Sequence, residues 1–147
     1  MTSPIPQGTY LSAVRHNDLV YTSGMTPRHD GRLLYSGKIK CDDLPDQHRS
    51  ALELAASNAL AAIQQCLTDD ECIRTVLQLT VYLNAENGFV SHPKVADLAS
   101  EYLLTRLGPN SIGSRAAIGA ATLPSDSTVE ISLIASITTI EVSRCRL

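Results

Sequence analysis

Two charges in the last third of the chain sit among residues that ordinarily fill a sheet. Arg115 opens a small, uncharged run that continues to Leu123, and Glu130 stands between Val129 and Ile131. Alternation places Val129, Ile131, Leu133, Ala135 and Ile137 on one face of a strand. Glu130, Ser132, Ser136 and Thr138 then take the other face, so Glu130 points away from the helix-covered core. A partly buried arginine has five donors to satisfy, more than one glutamate fills, and a ligand carboxylate could take the remainder. The simpler reading is a cross-strand salt bridge between Arg115 and Glu130. Both stay open on spacing alone.

These two residues need strands to hold them. Residues 114–123 and 129–140 read as two strands joined by a tight turn at Pro124, Ser125, Asp126 and Ser127. Upstream, Tyr10 to Val14 and Leu19 to Ser23 read as short strands about the turn His16-Asn17-Asp18, and Leu33 to Lys40 as another, broken by Gly37. Asp43 and Pro45 mark a helix start. Leu52, Ala55, Ala56, Ala59, Leu60, Ile63 and Leu67 recur at helical spacing, and the alanines let that helix lie close on a sheet. Thr75 to Leu83 alternates, with Leu77, Leu79, Val81 and Leu83 on one face. Ser91 and Pro93 open a second helix, with Val95, Leu98, Ala99, Tyr102 and Leu103 as its buried stripe and Gly108-Pro109 as its stop.

Strands, helix, strand, helix and two strands make an α+β fold, a two-layer sandwich with a mixed sheet and both helices on one face. A chain of 147 residues suits one domain over 1–147. The bare face would carry Ile118, Tyr82, Ile134 and Thr138. A half-apolar sheet face of this kind predicts association.

Composition excludes several classes. The formal charge is −3 without a basic cluster, which counts against nucleic acid or an anionic membrane as main partner. No apolar run reaches membrane-spanning length, and residues 1–8 lack the charge and apolar core of a signal peptide. The four cysteines, Cys41, Cys66, Cys72 and Cys145, form no CxxC pair and read as free thiols of a cytoplasmic protein. His16, His29, His48 and His92 are scattered, so no zinc site is expected. Ser91-His92-Pro93-Lys94 fits SxxK, but it lacks companion motifs and coincides with a helix cap.

Taken together, these residues resemble the reactive-intermediate deaminase (Rid) family, the YjgF-like proteins also known as endoribonuclease L-PSP. The resemblance runs through Gly8-Thr9-Tyr10, Thr22-Ser23-Gly24, the Arg115 strand leading to Leu123-Pro124, and Val129-Glu130-Ile131, where the family reads VEIE. Gly37-Lys38-Ile39 and Gly88-Phe89 through His92-Pro93-Lys94-Val95 are similar to a subgroup with longer loops and a chorismate-mutase-like fold. The resemblance implies a homotrimer with clefts between subunits. It also implies cofactor-independent hydrolysis of enamines and imines, such as 2-aminoacrylate and its 2-imino tautomer, to a 2-keto acid and ammonia, with no metal. Arg115 matches the carboxylate-binding arginine, and Glu130 the acid that handles water. Tyr10, Ser23, Gly24 and Ala117 match positions lining the cleft.

The chain also departs from the family. Ala117 replaces a frequent cysteine, Ser132 the second glutamate of VEIE, and Ala99 stands where some members carry asparagine. A non-enzymatic trimeric module that holds small carboxylates is the alternative reading, and a ribonuclease the third.

Overall fold

A computed structural model describes residues 3–140. Strands β1 (Ala13–His16) and β2 (Leu19–Thr22) form a hairpin in which Asn17 adopts the left-handed conformation a two-residue turn requires. A second, two-residue ladder joins β3 (Arg28–His29) to β4 (Arg32–Leu33) across Asp30-Gly31. Helix α1 (Arg49–Gln64) follows a 3-10 turn at Pro45–His48, and β5 (Glu71–Asn84) comes next. Helix α2 (His92–Leu107) ends at Gly108, whose φ of 92° only glycine adopts freely. Strands β6 (Ile112–Ala120) and β7 (Val129–Thr139) complete the fold.

The main sheet has the order β1-β2-β7-β5-β6, with β5 and β6 parallel and the other neighbours antiparallel. Both helices cover one face, as the pattern of strands and helices predicts. Leu52, Leu60 and Ile63 of α1 and Leu103 of α2 are fully buried with Leu79, Leu83, Ile131 and Leu133 of the sheet. Each such side chain contributes about 1.5–3 kcal/mol of transfer free energy. The alternation along β7 is borne out: Val129, Ile131, Leu133, Ala135 and Ile137 are buried, and Glu130 lies on the other face.

Four expectations need correction. Strands β6 and β7 are not a hairpin: β5 runs between them. A strand, a helix and a further strand favour a parallel crossover, and α2 returns the chain beside β5 rather than beside β7. Arg115 and Glu130 therefore have no register with each other, and no salt bridge joins them. Leu77 is the second. The β5–β7 register slips between Val76 and Gln78, so Val76 takes the core position while Leu77 remains 41% exposed. Third, residues 33–40 form no extended strand beyond β4, only isolated bridges from Ser36 to Ser127 and Ile39 to Ala85. Fourth, Cys72 is disulfide-bonded, whereas Cys41 and Cys66 are free thiols; Cys145 lies outside the described residues.

Candidate functional site

Glu130 occupies the bare side of β7, in register with Tyr82 of β5, which in turn faces Ile118 of β6. Beyond β2 the chain stays beside β7. Met25 and Ile131 exchange two backbone hydrogen bonds of 2.7 and 2.9 Å. That pairing lays Gly24 directly on the Glu130 side chain. A Cβ at Gly24 would stand 2.6 Å from Cδ of Glu130 and closer still to its Oε1. The absent side chain is what gives the carboxyl its place. Among the described residues Glu130 has no hydrogen bond or ion pair, and burial alone raises its pKa above the ordinary carboxylate range.

Gly24 also lines a small cavity with Tyr10, Ser12, Met25, Arg28 and Asn58. Tyr10 is half exposed, and its hydroxyl accepts a 3.2 Å hydrogen bond from the Gln7 amide. Ser23 donates its hydroxyl to Leu11 O at 2.6 Å and its amide to Ser12 O at 2.9 Å, which binds β2's end to the 10–12 segment. Asn58, buried in the alanine-rich stripe of α1, donates to Thr26 O (3.0 Å) and Arg28 O (2.9 Å). It fixes the loop that carries Gly24. Asn58 was not among the expected site residues; a lone amide inside an apolar helical stripe was its signal.

Arg115 lies elsewhere. Its register partner is Leu79, a core residue, so Arg115 emerges on the helix side of the edge strand β6. There Nη1 donates to Asp97 Oδ1 at 2.6 Å and to Ser100 Oγ at 3.0 Å, and Nη2 to Pro93 O at 3.4 Å. All three acceptors are on α2. Ala117 sits two residues further along the same side of β6, opposite Val81 and partly buried on the core. Gly119 comes next, and a Cβ there would stand 2.7 Å from His92 Nε2. Ala99 is fully buried in the core, so the α2 side chains that reach Arg115 are those of Asp97 and Ser100.

The expected site residues thus fall into two separate groups within one chain. Tyr10, Ser23, Gly24 and Glu130 gather where β2 ends on β7, and Arg115 and Ala117 stand across β5 on the opposite face of the sheet. The first group offers a half-buried acid beside a cavity, and the second a guanidinium held against α2. The described residues contain no group of three or more His, Cys, Asp or Glu side chains placed to hold a metal ion. They include no helix long and apolar enough to cross a membrane.

Comparison with known proteins gives a consistent picture. The family model described as endoribonuclease L-PSP matches residues 1–137. Protein TCP17 of Trypanosoma cruzi is 27% identical over 128 residues, spanning 86% of this chain and 79% of that protein. The crystal structure of Atu1372 from Agrobacterium tumefaciens, a protein of unknown function, superposes with a TM-score of 0.81 at 30% identity, covering 92% of this chain and 87% of that one. The YjgF gene product of Escherichia coli has the same fold, with a TM-score of 0.65 at 19% identity over 91% and 92% of the two chains.

Proposed function

On the premise that this chain belongs to the endoribonuclease L-PSP family, the YjgF-like or Rid proteins, we propose that it is a hydrolytic deaminase of small 2-imino and enamine acids. Its site is assembled from two protomers of a homotrimer. One observation carries the reading: Glu130 is a half-buried carboxyl with no partner among the described residues, while the arginine that would bind substrate projects on the other face of the same sheet. Neither residue has a use for the other inside one chain. An edge strand from a second protomer, brought to the Gly24–Glu130 end, supplies the missing guanidinium. The bare sheet face supports such packing, because Val14, Tyr21 and Ile118 on it are each exposed by 43% or more.

In that cleft Arg115 takes the substrate carboxylate through its planar fork. The enamine enters as its imine tautomer, so that C2 is an electrophilic C=NH₂⁺ carbon. Glu130 accepts a proton from water as the water oxygen bonds to C2, and the C=N π pair moves to nitrogen. The resulting carbinolamine gains a proton on nitrogen from Glu130. The C–N bond then breaks, ammonia leaves, and the hydroxyl proton is released as the 2-keto acid forms. No oxidant or reductant is consumed. A carboxyl whose pKa is raised by burial suits both transfers, because its carboxylate is a stronger base toward water than an exposed one and the acid so formed can still protonate the leaving nitrogen. The backbone at Gly24 and the Tyr10 ring wall the cleft, and Ala117 leaves room beside Arg115.

Ammonia release from freshly generated 2-iminopropionate tests this. The parent protein accelerates release over buffer, and Arg115→Ala abolishes the acceleration while light scattering still reports a trimer. A parent protein with no effect on release, or a stable monomer at micromolar concentration, contradicts the reading.

A further inference from the structure

The Arg115 cluster is not a bare cation. Asp97 occupies Nη1 together with Ser100, Nη2 has only a long contact to Pro93 O, and Nε has no partner among the described residues. A ligand that brings only a carboxylate therefore meets a guanidinium whose charge is already compensated, next to a second carboxylate that repels it. Asp97 is itself 57% exposed, and its Oδ2 makes no hydrogen bond among the described residues. The pair thus presents two unfilled recognition elements side by side: guanidinium donors for an anion, and a carboxylate oxygen for a cation.

We propose that Asp97 is a specificity-determining residue, which selects ligands carrying a protonated nitrogen next to the carboxylate. The inference rests on the deaminase reading and gives it a direction. The substrate's C2 bears a C=NH₂⁺ group, and the product's C2 bears a carbonyl oxygen. Both have the carboxylate that Arg115 binds. Only the substrate can donate to Asp97, whereas the product's oxygen is repelled by it. Asp97 then favours the 2-iminium acid on entry and the departure of the 2-keto acid after hydrolysis.

Calorimetric titration with L-alanine and pyruvate tests this, since the two share a carbon skeleton and differ in the group on C2. In the parent the ratio of affinities favours alanine. Asp97→Asn lowers that ratio by about tenfold or more, the usual reach of one charge-assisted hydrogen bond. Ser100→Ala, which removes another Arg115 partner without changing charge, leaves the ratio where it is. Asp97 lies on the outer face of α2, and a thermal melt matching the parent verifies that the variant is folded. If both ligands bind the parent and Asp97→Asn with one unchanged ratio, Asp97 only positions Arg115 and the inference is overturned while the deaminase reading stands. If the parent binds neither ligand while still accelerating ammonia release, the inference is overturned and the deaminase reading stands; if it does neither, both fall.

Discussion

Two glutamates of the same sheet have opposite fates. Glu71, at the start of β5, is gripped by Arg15 of β1 through two 2.6 Å hydrogen bonds, and it also accepts the Thr68 amide at 3.0 Å. Those donors hold its pKa down at about 2. Glu130, near the start of β7, has no donor among the described residues, and burial pushes its pKa the other way. A fold that can satisfy a sheet carboxylate so completely at one end leaves another bare at the opposite end. A structural acid gains from its partners, whereas a half-buried acid without one costs stability, and that cost is what singles out Glu130 as the candidate for chemistry.

The sharpest way to break this contrast is Glu130→Gln. The amide keeps the shape and loses the base, so turnover falls by roughly 100- to 10,000-fold. Stability does not fall with it. A carboxyl whose folded pKa lies above its unfolded value is bound more favourably when protonated, so at neutral pH its ionised form costs stability. Glu130→Gln therefore melts at or above the parent temperature in the same buffer. Parental activity also declines on acidification, and the midpoint lies above the ordinary glutamate value of about 4.3. Equal turnover in the two proteins would reduce Glu130 to an ordinary surface acid.

Gly24→Val comes next in size. The added side chain cannot share space with the Glu130 carboxyl, so the acid is forced out of its seat. Turnover drops by about tenfold or more, since small misplacements of a reacting group are costly, with carboxylate binding retained. Full activity in this variant would mean that Glu130 does not work from its observed position.

The smallest effect is on the other side of the comparison. Glu71→Gln removes the ion-pair acceptor but touches neither group of site residues, so turnover is unchanged and Tm falls by only about 2–4 °C. The sign with pH is fixed by the depressed pKa. The pair's contribution is present above the unfolded value of about 4.3 and is lost as pH falls toward about 2. Acid titration of Tm shows this component in the parent and not in Glu71→Gln. A turnover defect would show that Glu71 does more than hold β1 to β5.

Much of this arrangement was legible in the residues. The stripes of α1 and α2, the alternation in β7 and the outward side of Glu130 all follow from period, because one face of each element is buried. What period cannot supply is which strand lies beside which. Turn residues at 124–127 suggested a hairpin, but the β5–α2–β6 order favours a parallel crossover, and that placed Arg115 on the helix side of an edge strand. The small residues around Arg115 fit either face, so its true neighbours, Asp97 and Ser100, had no signal in β6 itself. Leu77 shows the same limit on a smaller scale: one bulge reverses the face of a residue that alternation had assigned to the core. Tyr10, Ser23 and Gly24 gained their meaning from resemblance, and Gly24 only then from its contact with Glu130.

If a complete site needs Glu130 from one protomer and Arg115 from another, subunit complementation reveals it. Glu130→Gln and Arg115→Ala are each inactive as pure trimers. Co-expressed in equal amounts and purified as mixed trimers, they regain about a third of the parental ammonia release, because every cyclic trimer that contains both variants has one cleft in three with both native residues. A mixture as inactive as its two components would contradict the account.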